Sequence, residues 1–435
     1  MKRGIRFILS ILAISFLFFS CSGKKQAPAT LSTGQSEETK KELTVWCWTE
    51  DFNLYAIREA NKIYQAQHPN INVTPIDVPW DEVQAKLIAS LSAKQTQTLP
   101  DIVLMQDTAA QKNIITFPGA FYDMTDKVDF SKFTPYKVAV STINGRHYGM
   151  PFDSGVGATF LRRDIIEKAG LGINDFMNIT WDQFIELGKK VKAATGMPIV
   201  ALGSQTAGFV TMMLQSSGEW YFKNDGSLNI TDNKAMRAAI DTLIKINQAG
   251  IATNPVDWNE YTGDIVKGNI AGDLNAAWMI SIITAAKDQS GKWGAANFPR
   301  LDGFPNARNS TSNGGSGWLV LASSPNAETA VDFLDKTFNG SVEFYDTILP
   351  SSGAIATWLP AAQSPIYQKP VEFFGNQAIY SDIVKWGNDV PPVFTGLYIY
   401  EAQDEIGKAI DEIRNGANID DSLKKAEDTI RFIIQ

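Results

Sequence analysis

Two rhythms of apolar positions alternate along the early chain. Residues 43–48 (LTVWCW) are an unbroken apolar and β-branched run, which predicts a fully buried strand. Over 52–68, Leu54, Ile57, Ile63 and Tyr64 share one helical face, and Pro69 ends the pattern. Residues 71–78 (INVTPIDV) predict a second strand. Val83, Leu87, Ile88 and Leu91 recur at helical spacing over 81–95, and Pro100-Asp101 opens a third strand at 102–106. Strands and helices alternating at these lengths predict parallel βαβ units.

A second region begins near residue 152. Thr180-Trp181-Asp182-Gln183 has the form of a capping box and predicts a helix over 181–194. Met236, Ala239, Ile240, Leu243 and Ile244 mark another helix, ended by Gly250. Ser324-Pro325 reads as an N-cap with proline at the first helical position, opening a helix over 326–338. Helical patterns at 401–415 and 420–434 close the chain. The one glycine-dense run, Gly314-Gly315-Ser316-Gly317, precedes a strand predicted at 318–322, and no internal repeat is present.

The first segment lies outside this pattern. Lys2, Arg3 and Arg6 precede an apolar run at 7–19, the length of a signal-peptide core and too short for a comfortable membrane span. Ser20-Cys21 follows at once. This resembles a bacterial lipoprotein signal, with residues 1–20 removed and Cys21 acylated to hold the protein at a lipid membrane. The three places before the cysteine hold Phe18, Phe19 and Ser20, of which only the serine fits that pattern well; the alternative is a plain signal peptide with a chance cysteine. Residues 21–42 are then the lipidated cysteine and a polar, flexible tether. Cys47, inside the first strand, is expected to be a buried free thiol.

Composition narrows the chemistry. The 435 residues allow two or three domains at roughly 150 residues each. A net charge of −8, about −11 without the leader, argues against nucleic acid as partner. Two histidines, His68 and His147, and two cysteines are too few for a zinc site or a disulfide framework, so no metal is expected. No phosphate-loop, zinc-helix or nucleophile-elbow motif occurs, and no pair of carboxylates stands out for glycoside hydrolysis; no enzyme activity and no cofactor are expected.

What remains informative is the strand exits. Ligands of open α/β sheets bind beyond the carboxyl ends of the strands. The first strand runs into Trp48-Thr49-Glu50-Asp51 and the third into Gln106-Asp107. A carboxylate is a strong acceptor for paired hydroxyls, and an indole covers the apolar face of a sugar ring. Acid plus indole suits a neutral saccharide or polyol. Asp51 and Asp107 would equally serve as N-caps of the helices that follow them.

Several segments together carry a family resemblance: LTVWCW, PDIVLMQD at 100–107, INGRHYGMPFDSGVGATFLRRDIIEKAGL at 143–171 followed by ITWDQF, AAWMI at 276–280, GGSGWLVL at 314–321 and SPNAETAVDFLDKTF. In this order the chain resembles the family 1 extracellular solute-binding proteins of carbohydrate ABC importers, similar in plan to maltose-binding protein. Arg162-Arg163 stand where that family usually has Tyr-Asn. The resemblance implies a periplasmic-binding-protein-like (type II) Venus flytrap, α/β, with discontinuous lobes joined by hinge strands. One lobe comprises 43–151 plus 299–352, the other 152–298 plus 353–435.

The resemblance also implies ligand contacts at Trp48, Glu50, Asp51, Gln106, Asp107, Asp153, Ser154, Trp278, Gly315 and Trp318. Asp153 would alternatively satisfy hinge backbone groups, and Gly315 would let ligand approach the main chain. Trp46 and Trp181 are expected in packing roles, as are His147 and Tyr148 beside the hinge. Trp220 and Tyr221 are open between cleft and core, and Trp358 and Trp386 compete for a further stacking role. The implied protein is a monomeric, extracytoplasmic lipoprotein that hands a carbohydrate or polyol to ABC permease subunits and their ATPase. Two rivals are a binder of polyamines or phosphorylated polyols, the latter needing Arg146, Arg162 or Arg163, and a surface interaction lipoprotein without a transport role.

Overall fold

A computed structural model of the chain describes residues 40–434. The expected signal segment, Cys21 and most of the tether lie outside the described residues. Two sheets organise the rest. In the first, the spatial order is Ile71–Asp77, Lys41–Cys47, Ile102–Gln106, Ser316–Val320 and Gly149–Pro151. The first three strands are parallel, as the βαβ pattern requires, and the last two add antiparallel. In the second sheet, Gly157–Arg162 is flanked by Gly272–Ala276 and Trp293–Asn297, both antiparallel to it.

The first strand corrects two expectations. It begins at Lys41, taking the last two residues of the expected tether into register with Ile71 and Asn72. It also alternates: Leu43, Val45 and Cys47 are buried, while Trp46 is only half-buried. Side chains alternate across a strand, and the outer face lies under the helix Trp80–Ser92, whose Lys86 ammonium stands 5.9 Å from the Trp46 ring. Cys47 is a free, buried thiol.

Most helices start where local chemistry places them. Thr180 and Gln183 form the reciprocal capping box, opening Trp181–Thr195. The Ser324-Pro325 helix begins later than expected, at Ala327 with Asn326 as cap. Ser324 instead donates its hydroxyl to Asp101 (2.5 Å) and accepts from Asn326 N (2.9 Å), making a turn before the helix.

Three stretches of backbone run side by side between the sheets. Residues 152–156 lead from Gly149–Pro151 to Gly157–Arg162, and residues 298–315 return from Trp293–Asn297 to Ser316–Val320. Residues 353–357 lie beside the first. Bridges join Asp153 to Ala356 and Val156 to Ser312, and Asn313 N donates to Gly155 O (2.7 Å). A Cβ on Gly155 would fall 2.4 Å from Gly314 O, so the crossing needs glycine there. One apolar core runs from Leu43 and Val45 through Phe152 and Trp318 to Phe160 and Trp293. A second is built around Trp181, Met236, Ile240 and Ile406. Each large side chain sealed in these cores contributes roughly 1.5–3 kcal/mol.

Candidate functional site

A cavity of about 600 Å³ opens at the carboxyl end of the first strand, with Trp48, Asp51, Asp153, Trp278 and Gly315 among its walls. The strand-exit rule therefore locates it.

Local geometry stiffens the first wall. After Trp48, Thr49 takes a left-handed conformation (φ 65°), uncommon for a threonine. It starts the irregular helical turn Thr49–Leu54, which brings Asp51, Phe52 and Asn53 to the cavity. Asn53 donates to Trp48 O (2.9 Å), and the Trp48 ring packs on Trp80 at 5.1 Å. Asp51 is exposed and takes no hydrogen bond from the described residues; it is not a cap, because that position belongs to Trp48. Glu50 stands off the cavity. It pairs with Arg58 through both carboxylate oxygens, and that hydrogen bonding lowers its pKa.

The third-strand exit behaves differently. Gln106 lines the cavity and accepts from the Tyr400 hydroxyl (3.1 Å). Asp107 turns away from it. Its carboxylate receives the buried Lys137 ammonium at 2.6 Å on each oxygen, and Lys137 also donates to Ser316 O (2.9 Å). Asp107 is the first residue of the helix Asp107–Thr116 and makes no capping bond. Burial pushes its carboxyl up to about 6, against the pull of Lys137. Neither sequence alternative for Asp107, cap or ligand contact, anticipates this ion pair.

Asp153 anchors the crossing backbone, as one of its two alternatives expected, and also lines the cavity. One oxygen, Oδ1, accepts from Ser316 N (2.8 Å) and from the Ser316 hydroxyl, anchoring a crossing segment. The other takes no hydrogen bond from the described residues, and the residue lines the cavity. Ser154 is buried off the cavity, its N–H donated to Ile355 O (3.1 Å). Gly315 lies on the wall with φ 94°; a Cβ there would come within 2.6 Å of Asp107 Oδ2 and 3.0 Å of Lys137 Nζ. The ion pair behind it thus demands glycine, whatever a ligand requires.

Trp278 lines the opposite wall, its indole N–H donated to Asn313 O (2.9 Å). Trp318 does not reach the cavity. It is fully buried in the core against Phe152 (5.3 Å) and Phe338 (5.6 Å). Trp181 packs against Phe184 and Phe298, in the role expected of it. Trp220 and Tyr221 belong to the second core, and Trp358 and Trp386 are buried away from the cavity lining. No arginine or lysine is among the cavity's lining residues. Arg146 pairs with Asp123 and Asp126, Arg162 with Asp164, and Arg163 donates to Trp293 O.

Phe52, Asn53, Ser281, Ser316, Ser351 and Ser352 also line the cavity and carried no sequence signal. The buried Lys137 was equally unmarked, since it sits in an ordinary short helix, Pro135–Ala139.

Two sheets joined by three crossing segments, with a polar and aromatic cavity at the strand ends, define a two-lobed solute-binding protein. The chain belongs to the bacterial extracellular solute-binding proteins, whose family pattern matches residues 59–375. A lactose-binding protein of Rhizobium radiobacter is 39% identical over 394 residues, 91% of this chain and 93% of that protein. An arabinooligosaccharide-binding protein of Bacillus subtilis (strain 168) is 24% identical over 342 residues, covering 77% and 75%. Among solved structures, the sugar-binding protein MalE of Xanthomonas citri superposes with a TM-score of 0.75 at 16% identity, over 89% of this chain and 96% of that one. The galacto-N-biose-/lacto-N-biose I-binding protein of Bifidobacterium longum gives 0.72 at 22%, over 90% and 96%. The fold is thus the type II flytrap with hinge strands, and the protein is a solute-binding component, not an enzyme. No helix among the described residues is long and apolar enough to cross a membrane.

Proposed function

We propose that this protein captures a neutral saccharide or related polyol in the cavity and delivers it to ABC permease subunits driven by a partner ATPase. The observation that carries the reading is the cavity wall. Trp48 and Trp278 supply indole faces, while Asp51 and the free oxygen of Asp153 supply acceptors for hydroxyl pairs. The names of the relatives, a lactose binder and an arabinooligosaccharide binder, point the same way. A wall without lysine or arginine disfavours a phosphorylated ligand.

The lobes divide as 43–151 plus 299–352 and 152–298 plus 353–435, a division supported by the two sheets and the bridged segments between them. Ligand spanning both walls favours the closed form by its differential affinity. Cys21 carries the acyl anchor that holds the monomer outside the cytoplasmic membrane.

Thermal melting and intrinsic tryptophan fluorescence against disaccharides, polyols, polyamines and sugar phosphates test the reading. A ligand at 100 times its dissociation constant stabilises the fold by about 2.7 kcal/mol. A saturable response to a saccharide, without its consumption, is the expected result. A response to polyamines alone would make Asp51 and Asp153 ammonium contacts and overturn the sugar assignment.

A further inference from the structure

Asp273 lies in the strand Gly272–Ala276, fully buried, and no lysine or arginine among the described residues pairs with it. Its Oδ1 accepts the Tyr261 hydroxyl, while Oδ2 has no partner among the described residues. Burying a carboxylate without a cation is costly, and an amide of the same shape would accept the same hydroxyl. The fold alone gives no reason for an acid at this position.

The hydrogen bonds around Asp273 run in one sense. Ala276 N (2.8 Å) and Asn313 Nδ2 (2.9 Å) both donate to Asn275 Oδ1, which fixes the orientation of that amide. Asn275 Nδ2 must then donate, and the Tyr261 oxygen accepts it (2.9 Å). The Tyr261 hydrogen is left for Asp273 Oδ1. At the other end, the Asn313 carbonyl accepts the indole N–H of Trp278 on the cavity wall (2.9 Å), and Asn313 N donates to Gly155 O (2.7 Å) in the crossing segment. An ionised acceptor makes the terminal bond roughly twice as strong as a neutral one, and bonds in such a chain polarise one another.

We infer that Asp273 is a positioning residue for ligand binding: through Tyr261, Asn275 and Asn313 it sets how Trp278 presents its ring to the cavity. This rests on the saccharide reading above and adds a pH response to it. Ionised Asp273 fixes the chain most firmly, so a ring on Trp278 favours the ionised form. Burial raises the carboxyl to about 7 in the free protein; ligand lowers it, so affinity climbs as pH rises towards 7 and is level above. The strand packs between Gly157–Arg162 and Val200–Ala201 and under the helix Trp258–Val266. Of the ionisable groups on these elements and at the helix cap, Tyr261 alone bonds Asp273. Arg162 pairs with Asp164, Asp257 accepts from Glu260 N, Glu260 from Val256 N, and Asp264 from Asn269 Nδ2.

The test is calorimetric titration of the full protein with lactose at several pH values between 5 and 8.5, for wild type, D273N and Y261F, with melting temperatures as the folding control. Wild-type affinity is expected to rise about fivefold up to pH 7, the change produced by about 1 kcal/mol. D273N should lose that rise and stay near the wild-type value at low pH, because its amide oxygen still accepts from Tyr261. Any step near pH 6 that survives in D273N belongs to Asp107. Y261F should bind weakly at every pH. A wild type that binds lactose without this pH response, or D273N with the wild-type profile, would overturn the inference and leave the saccharide reading intact. So would Y261F that melts lower and binds lactose as before, since the network would then only support the fold. Tryptophan fluorescence decides the matter without any ligand. The difference in emission between wild type and W278F should shift with a midpoint near pH 7, and the shift should vanish when both carry D273N. If no saccharide binds, the saccharide reading falls, and this shift alone upholds or, by its absence, overturns the link from Asp273 to Trp278.

Discussion

Replacing Lys137 by methionine isolates the ion pair behind the cavity wall. The Lys137 side chain is fully buried, with Nζ 2.6 Å from both oxygens of Asp107 and 2.9 Å from Ser316 O. Removing one partner of a buried pair costs about 3–5 kcal/mol, because the other charge is left without compensation. Here the cost has a ceiling. Burial already holds the Asp107 carboxyl at about 6 with the ammonium present; without it the carboxyl climbs further and takes up a proton. The penalty then grows by about 1.4 kcal/mol for each pH unit between the parent's pKa and the variant's. In the parent, the folded pKa lies above the model value of 3.8. The unfolded chain releases its proton first, so this group's contribution to stability falls as pH rises from about 4 to about 6 and is level above. In K137M that fall continues upward. Urea unfolding at several pH values should show a gap of about 3–4 kcal/mol near pH 8. It should shrink near pH 5 to the roughly 1 kcal/mol lost with the Ser316 hydrogen bond. Replacing Asp107 by leucine in the same chain should recover most of the pH 8 loss, since paired apolar replacements are often neutral. A gap of the same size at every pH would refute the reasoning.

Other groups give simpler tests. Burial raises the Asp273 carboxyl to about 7, and one of its oxygens has no partner. Its contribution to stability therefore falls as pH rises from about 4 to about 7, and D273N should flatten that part of the melting-temperature profile; superimposable profiles would remove Asp273 from the titration. Asp51 lines the cavity and has no hydrogen-bond partner among the described residues, so D51N should leave the melting temperature unchanged while weakening saccharide binding severalfold. A variant that melts lower would mean that Asp51 supports the fold. Burial pushes the Cys47 thiol up to about 12, so it should resist thiol reagents in the native protein and react fully in urea. Rapid native labelling would contradict its burial.

The first and third strand exits show what pattern can and cannot deliver. Alternation of strands and helices located both, and both place residues on the cavity. Their carboxylates look alike in sequence yet meet different fates. Asp51 takes no hydrogen bond from the described residues, whereas Asp107 is claimed by Lys137, thirty residues on. That pairing is tertiary, and no local spacing announces it. Trp318 illustrates depth. It shares a strand face with Ser316, since side chains two apart point the same way, but Ser316 reaches the cavity and Trp318 lies past its floor under Phe152. The burial of Trp46 was overestimated because an apolar run cannot distinguish a strand sealed on both faces from one flanked by a helix.

The same residues build the cavity and the crossing segments, and this bears on how binding would move the molecule. Asp153 anchors Ser316 with one oxygen and faces the cavity with the other. Gly315 is confined by its own φ and by the ion pair within 3.0 Å of its missing Cβ. Asn313 passes between Gly155 and Trp278, bonded to both. A hydroxyl arriving at Asp153 competes for charge that also holds Ser316, and a ring on Trp278 loads the indole that leans on Asn313. On the proposed function, ligand contact and hinge geometry therefore share atoms. A ligand shifts a conformational equilibrium only by its differential affinity for the two states. Contacts placed on the hinge itself differ between those states more surely than contacts on a rigid wall, and they make closure depend on what fills the cavity.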